Sequence, residues 1–317
     1  MTDAKTDAKT DVTERSKEIE RLKQEAFQLM QGTKELLPIE GDVTHYASFP
    51  SVRVQPRPVD VYVPEGYDPG SDQRYPVIYM HDGQMLFHTE NSPYAGMDLF
   101  WDVDKVMARQ VRDGAIKPAI VVSVFMLDHA KGARATEFMP QKAVTDEVWQ
   151  TMIAEGDNFA VEEGGDTIVS DNYLRFLVEE LKPFVDQHYA TLPDRDNTFV
   201  MGSSMGGLIS AYAISEYPEV FGGAGCMSSH WPVGDGAVVK WLNDHWPQAG
   251  NHRVYFDYGT ETLDARYEPY QQGMDAVMQK YGYTLDQDWV TRKFEGADHS
   301  TRAWHERLHI PMKFLLG

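Results

Sequence analysis

The chain has 317 residues, with 29 Lys+Arg against 49 Asp+Glu and a formal net charge of −20. Nucleic acids and anionic bilayers are bound through clustered cations, so this balance argues against both as partners. Apolar residues at 42% supply a sizeable core, the single Cys226 excludes an intramolecular disulfide or a cysteine-rich zinc site, and no apolar run approaches a membrane span.

Residues 1–44 read as a polar tail, with TDAK written twice, leading into a short amphipathic helix that carries Ile19, Leu22, Phe27 and Leu29. The segment lacks the apolar stretch of a secretory signal, so a cytoplasmic protein is expected. Residues 1–43 hold 7 Lys+Arg and 10 Asp+Glu, so −17 of the charge falls on the remainder. Residues 45–317 are expected as one domain. VDVYVP (59–64) alternates and stops at Pro64, which predicts an outer antiparallel strand. YPVIYMHD (75–82) is continuously apolar, as a strand buried on both faces would be. AIVVSVF (119–125), TFVMG (198–202), RVYFDYG (253–259) and WVTRKF (289–294) are further strands. Helical patterns cover 99–112, 171–188, 205–216, 266–281 and 300–315. Strands alternating with helices predict an α/β fold with a mostly parallel sheet covered on both faces. Residues 128–170 fit no element well and leave room for an insertion over the carboxyl edge of the sheet, where such folds bind ligands.

The sharpest chemical signal is Gly202-Ser203-Ser204-Met205-Gly206-Gly207, a G-x-S-x-G pattern centred on Ser204. Set between a predicted strand and a predicted helix, it describes a sharp turn with a serine at the apex and a helix N-terminus aimed at it. Ser203 falls outside the glycine frame. A serine nucleophile needs a base, and in strand–turn–helix hydrolases the base comes last in the chain, after the acid. His299, in the loop EGADHSTRAW, fits that position. His305 and His309 are spaced i, i+4 in the last predicted helix, where they are surface or core residues, and no third ligand makes them a metal site. The acid follows RVYFDYG, where Asp264 ranks ahead of Glu261 and either one is also suited to capping the next helix. Asp257 lies within the strand and points into structure. The oxyanion needs two donors, for which the Met205 N–H and the Gln84 N–H after Gly83 are the candidates. His81 and Asp82 precede the serine and are given a structural role. Trp101, Arg134, His230 and Trp231 are candidate substrate contacts, and Cys226 is expected in the core.

YMHDGQMLF, GSSMGG and GADHSTRAW, in that order, resemble the putative-esterase family of α/β-hydrolases, which includes enterochelin, feruloyl and acetyl-xylan esterases, esterase D and the mycolyltransferases. The resemblance runs from about residue 45 to the C-terminus. It implies a serine carboxylesterase acting on a small-molecule ester through Ser204, His299 and an acid, with a backbone oxyanion hole at Met205 and Gln84 and no metal or organic cofactor. Acyl transfer to an alcohol or sugar would use the same residues. A non-catalytic binding protein on a hydrolase fold is the reading from another class. The acidic body disfavours polyanionic esters, and Ser204→Ala is the substitution that separates enzyme from scaffold.

Overall fold

The computed structural model describes residues 17, 18, 21, 22, 24, 36–127, 133–154 and 168–317. Eight strands form one sheet: β1 (Asp42–Phe49), β2 (Arg57–Val63), β3 (Val77–Met80), β4 (Ile120–Val124), β5 (Thr198–Ser203), β6 (Gly223–Met227), β7 (Arg253–Gly259) and β8 (Trp289–Phe294), in the order β1-β2-β4-β3-β5-β6-β7-β8. β2 pairs antiparallel with β1 and β4, and every other neighbouring pair is parallel. The helices are α1 (Val103–Arg112), α2 (Ala133–Phe138), α3 (Asp146–Ala154), α4 (Ser170–Arg175), α5 (Lys182–His188), α6 (Met205–Glu216), α7 (Ala237–His245), α8 (Glu268–Lys280), α9 (Thr301–Arg307) and α10 (His309–Leu316).

The period-two alternation of a strand sorts its side chains into two cores. Val77 and Tyr79 of β3, with Val200 and Phe256, pack against Leu208, Ile209 and Tyr212 of α6. Ile78 and Met80, with Met201 and Tyr255, pack against Met107 of α1 and Met312 and Leu315 of α10. The predicted parallel α/β sheet covered on both faces is therefore present, and the continuously apolar strands are those buried on both sides.

Several expectations are corrected. The run at 59–64 is not an outer strand, because β1 pairs along its far side. β1 (DVTHYASF) is mixed and half exposed, and β6 (GAGCM) is built from small residues, so neither carries a strong strand pattern. α6 has no solvent face along most of its length: every residue from Met205 to Ile214 is buried, as befits a helix enclosed on all sides. The helix expected over 171–188 widens into a π segment at Phe176–Leu181, just before Pro183, which has no N–H for the fourth residue back. The helix expected over 300–315 breaks at Leu308, because Pro311 cannot donate to Arg307. His305 and His309 consequently fall on different helices; His305 Nδ1 lies 2.7 Å from the Trp101 carbonyl, while His309 is exposed. Of the residue range 128–170, 128–132 and 155–167 lie outside the described residues; the described part holds α2 and α3. Of the expected N-terminal helix, Ile19, Phe27 and Leu29 lie outside them too. Leu22 is helical and buried against Tyr258, Leu263 and Tyr267. No helix among the described residues is long and apolar enough to cross a membrane.

Candidate active site

The parallel strands share one carboxyl edge, and the loops leaving β3, β5, β6, β7 and β8 there carry every catalytic candidate. Ser204 sits between β5 and α6 at φ 57° and ψ −121°, a backbone region costing a residue other than glycine about 1–3 kcal/mol. Close packing imposes it. A Cβ on Gly202 would lie 2.9 Å from the carbonyl carbon and oxygen of Gly206, so the two arms of the turn touch backbone to backbone. The Ser204 N–H donates to the Met227 carbonyl, and the Ser204 carbonyl accepts from Gly207, Leu208 and His230. Ser204 remains partly exposed while Ser203 is buried inside β5. Met205 is the first residue of α6, and its N–H belongs to the donors that a helix cannot satisfy internally.

The second oxyanion candidate lies in a 3-10 turn over Gly83–Met85. There the left-handed residue is Asp82, at φ 56°, rather than Gly83. Gly83 is needed for close approach, since its Cβ would meet Ser123 Oγ at 2.6 Å and the Val124 carbonyl carbon at 2.7 Å. Met85 and Leu86 donate to the Asp82 and Gly83 carbonyls, which leaves the N–H of Gln84 at the unsatisfied start of the turn. The Gln84 carbonyl accepts from Ser92 Oγ at 2.6 Å and its side-chain Oε1 accepts from the Met126 N–H at 3.1 Å.

His299 and Asp264 are brought together. His299 Nδ1 is 2.6 Å from Asp264 Oδ1. The other carboxylate oxygen accepts from the Ser228 hydroxyl and the Gly259 N–H, each at 2.6 Å. Burial alone would push the Asp264 carboxyl up, but His299, Ser228 and Gly259 together hold it below its ordinary value. Glu261 is exposed and precedes the short 3-10 turn Thr262–Arg266, so the structure does not join it to His299. Asp257 is fully buried on β7, where Arg307 Nε and Nη2 grip its two oxygens at 3.1 Å and Tyr255 donates at 3.0 Å. Burial holds the Asp257 carboxyl above its ordinary value, a push that Arg307 only partly offsets.

Each of the four candidate substrate contacts has partners within the protein. Trp101 is buried against Trp304, with ring centroids 5.7 Å apart. Trp231 is wholly buried and donates to Gln271 Oε1 at 2.8 Å. Both are core, because each indole is enclosed by apolar side chains. His230 is buried with Nδ1 2.7 Å from the Tyr267 hydroxyl, so it braces the wall of the site. Arg134 is tied to Asp82 by two bonds of 2.7 Å, which neutralise its charge locally. His81 lies 2.8 Å from the Tyr173 hydroxyl, and burial drives its imidazole down to about 3, so it stands neutral. Cys226 is fully buried in β6, and burial pushes its thiol up, which makes it unreactive. Three residues that contact the His299–Asp264 pair are not singled out by the sequence: Ser228, Tyr267 and Trp304. Tyr267 and Trp304 set their ring edges on His299, with centroids at 5.7 Å and 4.9 Å. Ser228 and Tyr267 carry no local motif because they reach the histidine only through the fold, whereas Trp304 closes the GADHSTRAW segment, where its nearness to His299 is a signal the sequence offers.

The chain is 27% identical over 194 residues to the endo-1,4-beta-xylanase/feruloyl esterase of Xylanibacter ruminicola, a match covering 58% of this chain and 21% of that protein. It is 24% identical over 187 residues to the ferri-bacillibactin esterase of Bacillus subtilis, covering 57% of each. The chain thus spans about a fifth of the first relative and little more than half of the second. Among solved structures, the enterobactin esterase of Shigella flexneri shares the fold, with a TM-score of 0.59 at 19% identity over 90% of this chain and 61% of that one. Residues 53–309 match the model of the family described as Putative esterase. That match takes in the serine turn, the loop of Asp264 and the loop of His299, and the chain belongs to this family of α/β-hydrolases.

Proposed function

We propose that this chain hydrolyses carboxylic esters, with Ser204 as nucleophile, His299 as general base, Asp264 as the carboxylate orienting it, and the Met205 and Gln84 N–H groups as oxyanion donors. The observation that carries this reading is the 2.6 Å contact between His299 Nδ1 and Asp264 Oδ1, at the same sheet edge as the strained turn of Ser204. With Nδ1 bound to the carboxylate, Nε2 is the nitrogen left to accept a proton. His299 takes the Ser204 hydroxyl proton as Oγ bonds to the ester carbon. The two N–H groups hold the negative oxygen, and the intermediate collapses to an acyl-enzyme as the alcohol leaves with the proton from His299. Water then attacks, giving its proton to His299, and the carboxylic acid departs as Ser204 recovers its hydrogen.

The named relatives guide the choice of substrates: one is a feruloyl esterase, and the enterobactin esterase was crystallised with 2,3-dihydroxy-N-benzoyl-glycine. Esters of hydroxylated aromatic acids therefore belong beside p-nitrophenyl acetate in the first assay. Ser204→Ala and His299→Ala are each expected to lower kcat/KM by about 10⁴-fold or more, with an unchanged melting transition. A fluorophosphonate should label the wild type at Ser204 alone. Full activity in the Ser204→Ala protein would overturn the proposal.

A further inference from the structure

The environment of Ser228 is what a hydroxyl needs in order to donate in one direction only. Ser228 follows β6 at φ 39°. Its Oγ receives the Trp304 Nε1–H at 3.0 Å and an Arg307 Nη2–H at 2.7 Å. Indole and guanidinium nitrogens donate and never accept, so both lone pairs of the oxygen are occupied. The single hydroxyl hydrogen has one partner left, Asp264 Oδ2 at 2.6 Å. Trp304 and Arg307 stand three apart on α9 and so share a face, and α9 begins two residues after His299. Arg307 is itself fixed by its two-point grip on Asp257, and its Nη2 lies 4.0 Å from Asp264 Oδ2.

Resting on the triad proposed above, we infer that Ser228 is a positioning residue for that triad: oriented by Trp304 and Arg307, it loads Oδ2 of Asp264 so that Oδ1 alone faces His299, and it tempers the basicity the carboxylate passes to the imidazole. A hydrogen bond donated to a carboxylate withdraws charge from it, and a less basic carboxylate stabilises the His299 imidazolium less. The titratable and charged groups about the pair are Asp298 from the loop before α9, Arg307 from α9, Asp257 and Tyr255 from β7, and Tyr267 and His230 from the loops after β7 and β6. Replacing Ser228 by alanine changes the charge of none of them.

The test is the pH profile of kcat/KM for p-nitrophenyl acetate with the wild type, Ser228→Ala and Trp304→Phe, and with Ser204→Ala and His299→Ala as the controls. Inactive Ser204→Ala and His299→Ala beside an active wild type uphold the serine–histidine pair by themselves, so a failure at Ser228 is read separately. In Ser228→Ala the freed carboxylate oxygen makes Asp264 more basic. The acid limb, where His299 must lose its proton, is expected to move up by about half to one pH unit, with kcat down about tenfold and KM unchanged. Trp304→Phe keeps the ring beside His299 and removes one of the two donors that orient the hydroxyl, so a smaller shift in the same direction is expected. An acid limb and kcat unchanged in a folded Ser228→Ala protein overturn the inference. Should that variant not fold, an unmoved acid limb in Trp304→Phe overturns it instead.

Discussion

At Ser204 the backbone holds the proposed nucleophile, at φ 57° between a buried strand and a wholly buried helix, with Gly202 and Gly206 packed main chain to main chain. At His299 side chains do that work: Asp264, Ser228, Arg307 and Trp304 converge from two separate loops and one helix. The first arrangement is stiff because nothing in it can rotate. The second can be tuned, since each hydrogen bond shifts the charge on the next atom. A nucleophile has to stand still, whereas a base must hold and release a proton at the right pH, so the two halves of the site suit the roles proposed for them.

The strongest way to break the polar half is Asp264→Asn. Oδ2 receives two obligate donations, from Ser228 and Gly259, so the amide oxygen must take that place and the NH₂ must face His299 Nδ1. The imidazole is then forced to carry its proton on Nε2, where it cannot accept one from Ser204. We expect kcat to fall by about 10⁴-fold, with binding little altered. Glu261→Gln, made in parallel, should change kcat by less than about twofold, because that side chain stands exposed outside the network. Equal losses in the two variants would show that the pairing has been misread.

Breaking the backbone half calls for a methyl group rather than a charge. Gly202→Ala places Cβ against the Gly206 main chain, and neither arm of the turn has a flexible end that could yield. Overpacking of this kind costs about 1–3 kcal/mol of stability. The displaced serine should lose about 10²-fold in kcat. A thermal melt and a rate on the same sample check both parts, and a variant with wild-type rate would mean that the turn is looser than its packing implies.

The same division governs what could be read in the sequence. The backbone half was legible, because a strained turn leaves a local signature: two glycines around a serine, an apolar strand before and a helix after. His299 and Asp264 are legible as loop residues in the chain order that such a site needs. The support beneath them was not. Ser228 and Arg307 are 79 residues apart and meet only because β6 and β7 are neighbours and Arg307, at the end of α9, bonds to Asp257 on β7. Trp101 and Trp231 show the same limit from the other side, since an aromatic after a strand reads alike whether it lines a pocket or fills a core. Small-residue strands such as β6 and helices broken by Pro183 or Pro311 are decided by packing and backbone donors, which hydrophobic periodicity does not report.

His81 tests the stiff half through stability. Its Cβ lies 3.4 Å from where a side chain on Gly206 would begin, and burial lowers its imidazole from the ordinary 6.5 to about 3. Below pH 6.5 the unfolded chain binds a proton that the folded chain refuses until about pH 3, so stability falls with pH across that window. The slope from this one group is about 1.4 kcal/mol per pH unit. His81→Gln keeps a hydrogen-bonding partner for Tyr173 and does not titrate, so urea midpoints taken from pH 6.5 down to 4 should decline less steeply than in the wild type, by about that slope once converted to free energy. Parallel pH dependences in the two proteins would mean that His81 takes up a proton without leaving its place.

Leu22 carries the smallest expected effect and sharpens the comparison most. It is buried against Tyr258, Leu263 and Tyr267, so apolar backing from the N-terminal segment reaches residues on either side of Asp264. If hydrogen bonds hold the acid in place, removing that backing should cost stability and spare chemistry. Leu22→Ala is therefore expected to lose about 1–2 kcal/mol, on the low side for a core truncation because the site lies at the margin of the body. Its kcat should fall less than about threefold, with the acid limb of the pH profile unmoved. A loss approaching that of Asp264→Asn would mean instead that the acid loop is held by its hydrophobic underside, and that the polar network follows the loop rather than fixing it.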